Sequence, residues 1–338
     1  MAVDLTAVGL ALLRRACARF GMVPVARARV FDWQVAPLPV PAPQVDDEAR
    51  AWLRPDHPHL RELEARYRRC PPEVTTPLAW AEGHIKDSDL PTFRGDNAYV
   101  WQTRGRNMNP PGYALSAYYA RTHDAHALFA RLEEDGAFGA YTLEAAGRRV
   151  SRDLLDSLCE LDFLARHCAL FERAAFRVVD IGAGYGRLAH RMLAACPHVS
   201  AYLLTDAVPV SSFIAEYYVR HRALGLRAEV VPLDAIEARL AAGGIDLALN
   251  VHSFSECTLA AIEWWVQLLV GAGVRHLFVV PNNLTPGTPS LLNGRRDDFA
   301  PLLARAGYRC VVVEPKYRDP LVQQYGVNPA WYHLFELG

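Results

Sequence analysis

From residue 176 onward, short runs of β-branched and aliphatic residues alternate with segments whose apolar positions recur at helical spacing. The runs are 176–181, 201–205, 228–231, 246–251, 276–280, 308–313 and 331–335. Helix-period segments lie between them near 186–195, 211–222, 234–241, 258–270 and 296–306. Nearly continuous apolar strands separated by helices predict a parallel sheet covered on both faces. Between the last two runs no helix is expected, only 314–329, so those strands should pair antiparallel. The predicted fold class is α/β, a doubly wound, seven-stranded, mostly parallel sheet.

The first part of the chain lacks that alternation and predicts a mainly helical or irregular cap over 1–150, ahead of a sheet domain over 151–338. Apolar positions interrupted by Arg14, Arg15 and Arg19 predict an amphipathic helix over 5–20. A proline-rich connector follows at 34–44, where extended backbone is expected. An arginine-rich surface helix is expected over 46–69, ending before Pro71 and Pro72. Irregular chain is expected over 77–109, helices near 112–122 and 124–135, and a hairpin over 142–150 around Gly147. Ser151 is placed to cap a helix running to about 171, with Leu154, Leu155, Leu158, Leu161 and Leu164 on its core face.

The densest chemistry is Phe-Arg-Val-Val-Asp-Ile-Gly-Ala-Gly-Tyr-Gly-Arg at 176–187. A strand ends at Asp180 and Ile181, turns on Gly182, Gly184 and Gly186, and enters a helix. Glycine permits so sharp a turn and close approach of backbone to a ligand. The amides of the turn and helix start are expected to face outward, unpaired. A dinucleotide fingerprint requires G-x-G-x-x-G, but the sixth position from Gly182 is Arg187. Ligands of open α/β sheets sit at the carboxyl ends of the strands, and there the chain places Asp206 and Ala207, then Leu233 and Asp234, then the run Asn250-Val251-His252-Ser253-Phe254-Ser255-Glu256. Each aspartate alone is more often a turn former or helix cap.

Composition narrows the partners. Formal net charge is −1 over 338 residues, which argues against a nucleic-acid partner. The seven cysteines are scattered without a C-x-x-C pair, as expected of reduced thiols in a cytoplasmic protein. No apolar run reaches membrane-spanning length. The carboxylates are not spaced as a metal cluster, so no metal is expected. Self-association is left open.

The Asp-x-Gly-x-Gly-x-Gly pattern resembles the first motif of class I S-adenosylmethionine (SAM)-dependent methyltransferases. Gly184 to Leu188, the helix start Ser151 to Ser157, and Asn-x-His-Ser-Phe-Ser-Glu further resemble a family of bacterial sugar O-methyltransferases, over roughly residues 90–338. Cys257 stands where that family's pattern would have methionine. The resemblance implies that SAM binds along Asp180, Gly182, Gly184, Gly186, Asp206, Ala207, Leu233, Asp234 and Asn250, leaving S-adenosylhomocysteine as product. It implies Asp206 on the ribose hydroxyls and Asp234 on the adenine amino group. It also implies a reversed last strand inserted beside the sixth.

An alcohol acceptor must lose a proton, and His252 is the first candidate base, with Glu256 the second. Glu256 fits equally as an acidic first-turn residue of the following helix. Residues 93–109 combine aromatics, amides and arginines. Asp96, Asn97, Tyr99, Trp101 and Arg104 are expected to contact a small-molecule acceptor, and Asn282 and Asn283 to line the opposite wall. His333 is expected to be structural. A nicotinamide-dependent reductase is disfavoured by Arg187 and by the absence of a Tyr-x-x-x-Lys pair. Carbon or nitrogen acceptors, or a SAM-binding partner protein without chemistry, fit the same motif.

Overall fold

A computed structural model describes residues 5–20, 45–80, 83–105, 107–282, 284–285 and 287–338. The proline-rich connector and Asn283 therefore lie outside the described residues. Two short strands, β1 (Leu143–Ala145) and β2 (Arg148–Val150), form the expected hairpin. Ala146 and Gly147 both have positive φ, as a two-residue type I′ turn demands.

The large sheet contains β3 (Phe176–Ile181), β4 (Val199–Thr205), β5 (Ala228–Val230), β6 (Leu247–Val251), β7 (His276–Val280), β8 (Tyr308–Pro315) and β9 (Trp331–Leu337), in the order β5-β4-β3-β6-β7-β9-β8. Pairing is parallel from β5 through β7, and β9 runs antiparallel between β7 and β8. This is the α/β, doubly wound sheet with a reversed last strand that the sequence predicted. Strand order changes direction between β3 and β6, the position where such sheets hold ligands.

Alternation along β3 feeds two cores. Phe176 and Val178 join one with Leu154, Leu158, Leu188 and Phe278, whereas Val179 and Ile181 join the other with Phe213, Ile214, Ile262 and Val266. Residues before 150 belong to both. Leu60, Leu63 and Tyr67 pack with the second core, and Tyr113, Ala117 and Phe129 with the first.

Several helices differ from expectation. The single helix over 46–69 is two, Asp47–Trp52 and Pro58–Tyr67, because Pro58 starts a new helix capped by His57. The segment near 124–135 holds only Leu128–Arg131, and the one near 296–306 only Ala300–Arg305. Before the latter, Leu292 and Asp298 form an isolated bridge. A short helix, Pro320–Tyr325, does interrupt the β8–β9 connection, with Asp319 accepting from the Leu321 and Val322 amides. Ser151 caps Arg152–Cys168 as predicted, accepting from Leu154 at 3.1 Å.

Candidate functional site

The glycine bend after β3 does not leave its amides free. Gly182 and Ala183 donate to the Thr205 carbonyl (2.9 and 3.1 Å), Gly186 to Ala183 (3.0 Å) and Gly184 to Asp206 Oδ2 (3.0 Å). The expectation of outward, unpaired turn amides is corrected on this point: the bend is stitched to the end of β4. Its glycines serve curvature and close packing. Gly182 has φ +73°, and a Cβ there would overlap Ser253, so the β6 loop lies directly on the bend. Gly186 has φ +91° and abuts Leu204. Its amide is taken by Ala183, and its packing against Leu204 is what the structure shows of the expected cofactor-binding glycine.

The bend opens onto a cleft of about 560 Å³ at the carboxyl ends of the strands, a volume typical of small-molecule sites. Asp180, Gly182, Gly184, Asp206, Ala207, His252 and Glu256 line it, together with Tyr99, Trp101 and Asn282 from the expected acceptor-binding set. Asp206 closes β4. Its second oxygen accepts from the Val208 amide at 2.8 Å, and burial raises its pKa to about 6. The Ala207 amide also bonds this carboxylate, so three backbone donors occupy its acceptor positions and one of about four remains. Asp180 lies on the first-core face of β3, accepts from Tyr202 Oη at 2.7 Å, and is raised by burial to about 7.

Leu233, Asp234 and Asn250 are not on the cleft wall. The helix Pro58–Tyr67 covers the end of β5: Arg66 grips Asp234 through two bonds (2.9 and 2.7 Å), and the Tyr67 hydroxyl meets Ser212 at 2.8 Å beside the Leu233 backbone. Asp234, expected at the adenine, is held here in a partly exposed ion pair with Arg66. Asn250 is fully buried, donating to the Ile181 carbonyl (3.0 Å) and accepting from the Phe254 amide (2.8 Å). It shapes the loop rather than facing a ligand.

Asp96, Asn97 and Arg104 are likewise corrected to loop-building roles. Asp96 accepts from Gln102, Thr103 and Arg104, while Asn97 bonds Thr92 and the Tyr99 amide. Arg104 stacks on Trp101, 5.4 Å from the ring centroid. That turn delivers Tyr99 over Gly184, anchored by Ser211 Oγ at 3.0 Å, and leaves Trp101 54 % exposed at the cleft. His333 is buried and meets the Pro289 carbonyl at 3.1 Å, as a structural histidine should.

The two candidate bases have opposite electrostatics. His252 has φ +70°, an uncommon backbone state for a non-glycine residue. Its Nδ1 is buried without a hydrogen-bond partner, and burial followed by Arg152 lowers its pKa to about 3. Glu256 is raised by burial, although it accepts from Trp80 Nε1 and from Asn282 Nδ2 at 3.1 Å. Trp80, His84, Arg152 and Asn328 also line the cleft and were missed in the sequence. Only Arg152 carried a signal, as the first residue after the predicted Ser151 cap. Among the described residues no group of His, Cys, Asp or Glu converges to hold a metal ion, and no helix is long and apolar enough to cross a membrane.

No protein-family model matches the chain, and no curated protein matches it. Solved structures with a similar arrangement include magnesium protoporphyrin IX methyltransferase from Synechocystis PCC 6803 with bound SAM, at 13% identity over 55% of this chain and 83% of that one, TM-score 0.39. A SAM-dependent methyltransferase from Aquifex aeolicus is similar at 14% identity over 54% and 98%, TM-score 0.38. The mitomycin 7-O-methyltransferase MmcR is similar at 21% identity over 55% of this chain and 56% of that one, TM-score 0.39. The α/β assignment itself stands on the strand order and the reversed β9.

Proposed function

We propose that the chain is a SAM-dependent methyltransferase that O-methylates a sugar or another small hydroxylated metabolite. The observation carrying this reading is Asp206, buried at the end of β4, tied to the glycine bend and lining the cleft. A carboxylate so placed suits the paired hydroxyls of a ribose. Bound SAM would supply a methyl group made electrophilic by its sulfonium.

The chain's own residues then have three tasks. Asp206 and Ala207 hold the nucleoside side, Tyr99 and Trp101 offer aromatic faces to the acceptor, and Glu256 takes the acceptor's proton. Of the two candidate bases, Glu256 is the one whose proton affinity burial raises. Its bonds from Trp80 and Asn282 fix its orientation. His252, lowered to about 3, is neutral at physiological pH and too weak a base to hold that proton. Its role in this reading is to orient the acceptor hydroxyl.

Calorimetry with S-adenosylhomocysteine and with NAD tests the cofactor. S-adenosylhomocysteine should bind, NAD should not, and Asp206→Ala should weaken binding at least tenfold, about 1.4 kcal/mol. Unchanged affinity in Asp206→Ala would remove the ribose role. Labelled-methyl transfer into sugars and phenols tests the acceptor.

A further inference from the structure

At one end of the cleft the buried charges do not balance. Arg152 is 14 % exposed; its Nε donates to Asp156 Oδ2 (3.1 Å) and its Nη1 to the Trp101 carbonyl (2.9 Å). Asp156 is also held by the buried Lys316 ammonium and by Asn328 Nδ2 at 3.1 Å. One carboxylate thus faces two cations, and Asp156 lies well below the usual carboxylate range. The neighbouring Glu160 carboxylate is matched one to one by Arg187 through bonds of 2.7 and 2.9 Å, so Glu160 does not cancel the surplus. Lys316 is enclosed, because its other bonds go to the Val327 and Asn328 carbonyls (3.0 and 3.2 Å). The surplus charge therefore reaches the cleft through Arg152, whose Nη2 has no protein partner among the described residues.

Arg152 and His252 both line the cleft with Asn328 and Trp101, and after burial the guanidinium's charge lowers the imidazole. Asp206, Glu256 and Asp180 line the same cleft, but their bonds come from backbone amides, from Trp80 and Asn282, and from Tyr202 respectively, and none forms an ion pair with Arg152 among the described residues. The cleft thus carries carboxylates held by neutral donors and, separately, a guanidinium with a donor to spare. A partly buried guanidinium with an open fork favours a planar or tetrahedral oxyanion.

We propose that the methyl acceptor is acidic, and that Arg152 binds its carboxylate or phosphate while the ring rests on Trp101. This rests on the methyl-transfer reading. It narrows the acceptor to uronic acids, sugar phosphates and hydroxy acids of comparable size. Arg152 would be the residue that rejects neutral analogues.

The test uses the whole chain saturated with S-adenosylhomocysteine and titrated with malonate and, separately, inorganic phosphate. Calorimetry reports affinity, and the His252 ring resonances report location. Saturable binding that moves those resonances is expected in the wild type. It should weaken by roughly tenfold or more in Arg152→Gln and by less in Arg152→Lys, which keeps the charge but loses the fork. Affinities for S-adenosylhomocysteine and for 5′-methylthioadenosine, which lacks the amino-acid tail, should be the same in all three proteins.

Absence of saturable binding near His252, or equal binding by Arg152→Gln, overturns the proposal. So does a loss confined to S-adenosylhomocysteine with 5′-methylthioadenosine unaffected, because Arg152 would then hold the cofactor's own carboxylate. If the wild type binds no S-adenosylhomocysteine, the methyl-transfer reading fails instead. The same anion titration on the protein alone then still decides whether Arg152 forms an oxyanion site.

Discussion

Replacing Gly182 by alanine would separate the two reasons for glycine in the bend after β3. Its φ of +73° puts an L-residue in the left-handed region, at a cost of about 1–2 kcal/mol. The added Cβ would also overlap Ser253 Cβ and Oγ. Because Ser253 begins the turn after β6, at Ser253–Glu256, relief requires moving that loop. Overpacking of this kind costs about 1–3 kcal/mol. Gly182→Ala should therefore lose roughly 2–5 kcal/mol, a large share of an ordinary domain's 5–15 kcal/mol. Ser253→Gly removes both overlapping atoms but leaves φ unchanged. In that background the same substitution should cost only about 1–2 kcal/mol, a coupling of about 1–3 kcal/mol. Any backbone freedom added by the new glycine is common to both arms of the cycle and cancels. Equilibrium unfolding in urea of the four proteins measures it. An equal cost of Gly182→Ala in both backgrounds would refute the claim that the β6 loop rests on the bend, and with it the packing account of this glycine.

Asp234→Ala should leave affinity for S-adenosylhomocysteine within about twofold and cost no more than about 1 kcal/mol in urea unfolding, as for a partly exposed ion pair; a tenfold loss of affinity would restore its adenine role. Removing Arg94 should do far more. It bonds Glu134 and Asp153, both buried, and Arg94→Met would leave Asp153 without a cation and Glu134 with Arg191 alone, at a cost of about 3–5 kcal/mol, read as a fall in the urea midpoint. Asp180 is protonated more readily in the folded chain (about 7) than unfolded (3.8). Its contribution is therefore fully present below about pH 4 and is lost as pH rises through 7. Asp180→Asn should consequently gain stability relative to wild type across that window, by an amount of order 2–4 kcal/mol; parallel stability–pH curves would contradict the assignment. The His252 ring should give neutral-imidazole NMR shifts throughout pH 5–8, and a titration midpoint near 6.5 would contradict its desolvated placement.

Local sequence determined the sheet domain closely. The β-branched runs and the helical repeats between them are short-range patterns, and each element's period follows from backbone geometry alone. Asp206 and the glycine bend were legible for the same reason, since a strand end places its next residues at the sheet's carboxyl edge. Tertiary structure alone decided which of those residues line the cleft. Leu233 and Asp234 have the right place in the chain, yet Arg66 and Tyr67 arrive from a helix more than 160 positions earlier and cover them. Trp80 reaches Glu256 across a similar separation, and Arg152 comes to the cleft that His252 lines. Nothing in a local period specifies such meetings. They are set by how the N-terminal helices bury their apolar faces in the two cores of the sheet, and burial, not spacing, then sets whether each carboxylate or imidazole holds its proton.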